Sequence, residues 1–282
     1  MIRLVNAELL KLRRRWASYV VLGVLLGLMA LVYLLIGLTS RGSEVSDQVL
    51  RFPGAYSVIN QFVFGLGSLL AVSYAAAVGG ADWNWGVLRV IVARGEGRSR
   101  YVLAKYIGVA IASAIGVVIA YTVWVVLTML SASLAGGSAG DPFAGGGGAT
   151  MLRSVGYGTF VLLERAAIGF AVAMLMRSQV AGVVVGIVLY LGESILSTIL
   201  VVINLRGEGL ARLQVQDTQW FQFLPFSIGD SVLSAAAPSI GNDVSSMLLQ
   251  PVSLGVAVAA TAVYLVLALG VAMLATERAE IA

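Results

Sequence analysis

Three charged residues lie within long apolar stretches of the chain. Their side chains could do chemistry inside a membrane. Glu164 and Arg165 lie in one stretch, and Glu193 lies in the next. An ionised side chain near the centre of a bilayer costs about 2.5–3.5 kcal/mol on insertion scales, so each charge needs a partner or a polar cavity. These residues therefore predict either a structural ion pair or a path for an ion or a polar substrate.

Composition excludes most other catalytic chemistry. The chain has no Cys and no His, which removes disulfides, thiolate and imidazole metal ligands, Cys nucleophiles and His-dependent triads. A phosphate-binding loop needs Gly-Lys-Ser or Gly-Lys-Thr, but the lysines, Lys11 and Lys105, precede Leu12 and Tyr106. We expect no catalytic, metal or cofactor site on this chain, since an intramembrane enzyme would have only carboxylates to use.

The elements that must position these charges are long apolar segments. Of 282 residues, 59% are hydrophobic and 11% are charged, with a mean hydropathy of +0.95, a composition typical of a lipid-embedded chain. About 20 apolar residues form a helix that crosses the hydrocarbon core, and lipid offers unpaired backbone groups no partner. We predict an all-α polytopic integral membrane protein, one transmembrane domain over residues 1–282. Its six predicted spans are 17–39, 56–79, 106–131, 153–176, 179–202 and 253–275.

Basic residues indicate how these spans are oriented. They cluster before the first span and between the second and third, and the positive-inside rule makes both segments cytoplasmic. Six spans then place both termini on the cytoplasmic side. Because the basic residues lie at helix ends, lipid headgroups and topology account for the net charge of +4, and we expect no nucleic-acid partner.

Two segments outside the spans have their own patterns. Residues 1–16 interleave apolar and charged residues, which predicts an N-terminal helix lying on the membrane surface; a basic stop before the first span explains the cations equally well. Its charged residues are Arg3, Glu8, Lys11, Arg13, Arg14 and Arg15. Residues 203–253 are too long for a tight turn and carry an aromatic cluster, so we predict a partly helical extracytoplasmic cap.

Helical spacing suggests a partner for Arg165. The fourth and fifth spans are joined by a tight turn and should be antiparallel neighbours, with Arg165 and Glu193 offset by only about 4.5 Å along the helix axes. We therefore predict an Arg165–Glu193 ion pair. Glu164 points about 100° away from Arg165, and it either shares Arg165 or faces a polar cavity that contacts substrate.

Two GxxxG patterns mark positions where another helix could approach closely. Gly23 and Gly27 form one in the first span, and Gly182 and Gly186 form the other in the fifth. Either pattern could serve contact with a second copy of the chain or ordinary packing within one chain.

The segment between the second and third spans carries an ordered pattern of charges and glycines. An acidic residue stands four positions before a glycine. A Leu-Arg pair and an apolar run come next, then an arginine, and a lysine follows that arginine by seven positions. The residues at these positions are Asp82, Gly86, Leu88, Arg89, Arg98 and Lys105. The pattern resembles that of the membrane subunits of type-2 ABC (ABC-2) exporters, although Val87 and Gly95 stand where those subunits usually have Thr and Pro. Their opening signature, Glu-Leu-x-Lys and basic residues, is also present at Glu8, Leu9 and Lys11.

The resemblance implies a permease subunit of an ATP-driven exporter in a bacterial inner membrane. Such a subunit pairs with a second copy or a homologous permease, and separate ABC ATP-binding subunits, which hold ATP and Mg²⁺, dock on the coupling segment 80–105. Closure of those subunits would drive alternating access. An ion-coupled secondary transporter or channel is the alternative, and a signalling or assembly subunit is also compatible; no feature indicates the substrate.

Overall fold

A computed structural model describes residues 1–40, 49–84, 97–208, 219–236 and 252–278. Across these ranges the secondary structure is helical, without a strand. The helices are α1 (Ile2–Arg14), α2 (Trp16–Thr39), α3 (Ala55–Asn60), a π-helical turn (Gln61–Leu66), α4 (Gly67–Asn84), α5 (Arg98–Leu134), α6 (Gly147–Met176), α7 (Gln179–Glu208), α8 (Pro225–Ala236) and α9 (Leu254–Glu277), with 3₁₀ turns at Ala144–Gly146 and Trp220–Phe223. The all-α prediction is confirmed.

Six helical stretches in the described ranges are long and apolar enough to cross a membrane. They are Trp16–Thr39, Val58–Trp83, Arg98–Leu134, Ala144–Met176, Gln179–Ile203 and Leu254–Glu277. The third begins earlier than predicted, because the polar turns before Tyr106 continue the same helix. At 37 residues, α5 is about 55 Å long and exceeds the hydrocarbon core.

The extra turns of α5 meet α1 and the end of α9. Glycine at position 108 lets α1 approach, since a Cβ there would stand 3.4 Å from the Glu8 Cβ. The Arg98 guanidinium donates to the carbonyls of Thr276 and Glu277 at 3.3 and 3.0 Å. One end of the bundle therefore gathers α1, the end of α4, the beginning of α5 and the end of α9, and we call this end the terminal face.

The centre of the bundle is formed by α4 and α6. In the second and fourth spans 61% of the most apolar window is buried, against 11% in the fifth. Absence of a side chain at Gly158 makes room for the Phe64 ring, and Gly169 lies against the Val72 carbonyl. The small-residue face of α6 therefore packs on the π turn and α4.

The two GxxxG patterns have different surroundings. Gly182 lies against Ala173 of α6, and Gly186 against Val72 of α4, so this pair serves packing within the chain. At Gly23 and Gly27 an added Cβ would meet no heavy atom of the described structure within 4 Å.

Helix α8 packs against the spanning helices. It packs between α6, α7 and α9, and Ile228 and Val232 are fully buried. The 3₁₀ turn before it contacts α7 through Phe221 and Val201. The described part of this region is helical and lies beside Arg165. Residues 209–218 and 237–251 lie outside the described ranges, and an extracytoplasmic cap over residues 203–253 stays a prediction.

Candidate functional site

Arg165 is the centre of a polar cluster in the middle of the bundle. Its side chain is almost completely buried. Each of its two terminal nitrogens donates to two acceptors, and the two pairs of acceptors lie on opposite sides of the guanidinium. Nη1 donates to the Phe64 carbonyl at 2.9 Å and to Ser68 Oγ at 2.7 Å. Nη2 donates to the Phe226 carbonyl at 3.0 Å and to Asp230 Oδ1 at 2.5 Å. The guanidinium therefore ties α6 to the π turn and α4 on one side and to α8 on the other.

The π turn explains how a backbone carbonyl becomes available to Arg165. A π turn replaces the usual i to i+4 hydrogen-bond pattern, and such turns occur frequently at functional sites. The Phe64 carbonyl bonds to Arg165, and the Gly65 carbonyl accepts the Tyr190 hydroxyl at 3.2 Å. Side chains of α6 and α7 therefore satisfy two carbonyls of this turn.

The predicted Arg165–Glu193 ion pair is wrong, because the carboxylate partner of Arg165 is Asp230. Glu193 instead accepts from the backbone N–H groups of Phe226 and Ser227 at 2.8 and 2.7 Å, and from Ser227 Oγ at 3.0 Å. These donors belong to the first turn of α8, where the helix dipole and unpaired N–H groups favour an anion. Arg165 and Glu193 thus hold the same turn of α8 from two sides.

Glu164 has no such partner. It is completely buried, at 0% exposure, and within the described structure neither carboxylate oxygen has a hydrogen-bond partner. Burial without compensation is unfavourable for a carboxyl group and especially so for a carboxylate. Burial of Glu164 therefore lowers the stability of the folded protein, and close packing gives no reason for a carboxyl group at this position.

Replacing Glu164 with Leu should leave the free energy of unfolding unchanged or raise it by about 1–3 kcal/mol, because an unpartnered buried polar group is removed. Glu193→Leu is the matched control, and it should destabilise the protein because it strands the donors at the start of α8. Thermal unfolding of the purified protein in detergent measures both. Equal destabilisation by the two variants would show that Glu164 has a stabilising partner.

A second polar cluster lies at the terminal face. The buried Asp82 carboxylate accepts hydrogen bonds from the Tyr101 hydroxyl and the Lys105 ammonium. Beside it, Lys11 of α1 bonds to the buried Glu8 at 2.5 Å, and its ammonium stands 5.7 Å from the centre of the Tyr101 ring. These five residues, which we call the terminal-face cluster, join α1, α4 and α5.

The structure distributes the candidate coupling residues between the interior and the surface. Asp82 and Lys105 are 4% and 2% exposed and bind each other, so a docked subunit would not reach their charges. Arg98 is partly exposed and bonds to the end of α9. Gly86, Leu88 and Arg89 lie outside the described residues. The basic residues of α1 are exposed: Arg3, Lys11, Arg13 and Arg14. A coupling role for the segment stays a prediction.

Sequence reasoning missed two residues of these clusters. Asp230 lies outside every predicted span, and a lone acidic residue after an aromatic stretch gives no signal of membrane depth. Tyr101 follows Arg98, a predicted coupling residue, by three positions. If the helix is taken to start at Arg98, Tyr101 lies one turn before Lys105 on the same face. Tyr101 was missed because the third span was predicted to begin at residue 106, after it.

Comparison with known proteins assigns the family. The model of a family described as ABC-2 family transporter protein matches residues 4–193, well over half of the chain. No curated protein gives a significant match. The matched range covers the terminal-face cluster and reaches Glu193, while Asp230 and α8 follow it. Membrane proteins of this family generally work with separate ATP-binding subunits. With its six apolar helices, this chain is a multi-pass membrane protein that belongs to the ABC-2 family of transporter proteins.

Proposed function

We propose that the chain is the permease subunit of an ATP-driven exporter, moving its substrate by alternating access when separate ATP-binding subunits dock on residues 80–105. A second permease, identical or homologous, completes the transporter. ATP and Mg²⁺ bind to the ATP-binding subunits, and the chain itself is not an enzyme.

The observation that carries this proposal is the Asp82–Lys105 pair. It joins the end of α4 to the first turns of α5, which are the two ends of the coupling segment. Because the pair is buried and Tyr101 reinforces it, a displacement of the segment would move both helices together. Arg98 extends the connection to the end of α9.

Helix α4 links the terminal face to the middle of the bundle. Asp82 lies at one end of this helix, and Ser68 and the π-turn carbonyl of Phe64 lie at the other, about 20–27 Å away at the helical rise. Since Arg165 bonds to Ser68 and Phe64, a shift of α4 would alter the link between α6 and α8. Coupled helix movements of this kind are a recognised way of switching access.

We place the terminal face in the cytoplasm of a bacterial cell and the protein in its inner membrane. This face carries the basic residues of α1 and the beginning of α5, including Arg13, Arg14, Arg98 and Arg100. Their excess supports this orientation under the positive-inside rule.

Reversing charge at Arg89 and Arg98 together should reduce co-purification of a cognate ATP-binding subunit by at least about tenfold, because a charge-assisted contact contributes about 1.5–3 kcal/mol. ATP hydrolysis should also become insensitive to the permease. The measurement is affinity purification of the co-expressed complex from membranes, followed by an ATPase assay.

Arg3→Glu is the matched control, since it reverses an exposed charge of α1 outside the coupling segment. It should leave co-purification unchanged. Normal membrane insertion together with normal co-purification of the Arg89→Glu/Arg98→Glu variant would contradict docking at this segment.

One observation favours a second candidate, an ion-coupled secondary transporter or channel. Among the described residues Glu164 has no hydrogen-bond partner for its carboxyl group, and buried carboxyl groups within a membrane mark ion and proton paths in transporters. Transport by the purified chain in liposomes without any ATP-binding subunit, lost in the Glu164→Gln variant, would support this candidate over the first.

A further inference from the structure

A cavity of about 370 Å³ opens beside the terminal face between α1, α2, α4 and α5. Its volume falls within the range of roughly 300–1,000 Å³ that is typical of ligand pockets. Apart from the residues at one end and Ser113, its described walls are apolar; among them are Val21, Leu25, Leu70 and Ile115. It lies apart from both polar clusters, so neither the coupling proposal nor the central charges account for it.

The polar residues of the cavity gather where α1 turns into α2. Arg13 lies in the last turn of α1, and Ser18 and Tyr19 lie in the first turn of α2. Ser18 Oγ lies 2.9 Å from the Tyr74 hydroxyl, which places Tyr74 at the same end. Tyr19 donates to the Arg13 carbonyl at 2.8 Å, so the Arg13 backbone is fixed while its exposed side chain makes no ion pair in the described structure.

The cavity reaches about two thirds of the way through one leaflet of a bilayer. Its walls run from Ser18 to Leu25 on α2 and from Ala112 to Ile119 on α5, about 10 Å in each case at the helical rise. A leaflet contributes about 15 Å of hydrocarbon. Trp16, beside the mouth, is 83% exposed, and Trp and Tyr are enriched at the membrane–water interface. The polar end therefore lies at the interface, and the apolar end lies in the hydrocarbon.

We propose that this cavity binds one acyl chain of an anionic phospholipid from the leaflet at the terminal face, with the lipid phosphate bound by Arg13. An apolar channel about 10 Å deep, open at the interface, suits part of an acyl chain. The mouth favours an anionic headgroup because two arginines, Arg13 and Arg14, stand together there. The nearby Glu8 carboxylate is already bonded to Lys11 and does not neutralise them. The bound lipid fills the space between α1 and the spans and supports the position of α1. This inference does not depend on the transport proposal.

The cavity can be filled by a single substitution. Gly116 lines its wall, and an added Cβ there would meet no heavy atom within 4 Å, so Gly116→Phe should fold while occupying the space for the chain. Gly192 of α7 is equally open but lies outside the cavity. Gly192→Phe is therefore the matched control.

The test uses the full chain in nanodiscs that contain phosphatidylglycerol with a photoactivatable group in the acyl chain. Mass spectrometry of the irradiated protein should find the label on the α5 peptide around Ile115–Ile119. Labelling should fall by about tenfold in Gly116→Phe, since losing contact with about two methylene groups has that effect. It should fall by about fivefold in Arg13→Gln and stay unchanged in Gly192→Phe.

Three outcomes would overturn the proposal. Equal labelling in Gly116→Phe and Gly192→Phe would show that the label comes from the general lipid surface. Equal labelling by the matching phosphatidylcholine probe would remove the role of Arg13 in choosing an anionic headgroup. Since the chain has no cysteine, a Gly116→Cys variant can report contact between copies; efficient crosslinking at this position would show that a second chain fills the cavity.

Discussion

Replacing Asp82 with Leu is expected to lower the free energy of unfolding by about 3–5 kcal/mol, because it leaves the buried Lys105 ammonium without its carboxylate. Lys105 is 2% exposed, so water cannot replace the lost partner, and the Tyr101 hydroxyl loses its acceptor as well. Thermal unfolding of the purified protein in detergent measures the loss. Separation of α1 from α5 near Gly108 should accompany it.

The control for this prediction removes both charges. Asp82→Leu combined with Lys105→Met should recover much of the stability, because an apolar pair of similar volume carries no desolvation cost. Tyr101→Phe should cost less, about 1.5–3 kcal/mol, the usual contribution of a hydrogen bond to a charged group. If the double replacement destabilises by the full sum of the two single ones, Asp82 and Lys105 do not interact. This result also bears on coupling experiments, since charge reversal at Asp82 would disturb folding as well as docking.

Replacing Arg165 with Leu should destabilise the protein by at least about 3 kcal/mol, because charge-assisted hydrogen bonds to four acceptors are lost at once. Arg165→Lys keeps the charge but should also be destabilising, since one ammonium cannot replace a planar fork whose two nitrogens reach opposite sides. The Phe64 carbonyl and Ser68 lie on one side, and Phe226 and Asp230 on the other. Thermal unfolding again provides the measurement, and hydrogen exchange should show earlier opening of α8.

Double-mutant cycles identify which carboxylate Arg165 binds. Arg165→Leu and Asp230→Asn should be coupled by about 1 kcal/mol or more, whereas Arg165→Leu and Glu193→Gln should interact more weakly, because they meet only through the first turn of α8. Stronger coupling to Glu193 than to Asp230 would contradict the arrangement described here. Asp230 also has a side chain that is 55% exposed, so water or a second permease can reach the outer side of this pair.

Segment length and hydropathy were enough to predict which parts of the chain enter the membrane. Length and hydropathy decide this directly, because every segment in hydrocarbon must bury its backbone in a helix. The motif around Asp82, Arg98 and Lys105 also indicated the family, since those residues stand in the family's spacing.

Which charges meet depends on how the helices pack, and no local pattern predicts it. Arg165 and Glu193 have compatible heights, but pairing also requires the same rotational direction, and that depends on how α6 is turned against its neighbours. The close fit of Gly158 to Phe64 turns the Arg165 face toward the π turn, while α8 enters beside it and supplies Asp230. A short helix that reaches into the bundle has too few apolar residues to stand out by hydropathy. Its position is determined by side-chain contacts from three different helices, which no local pattern records.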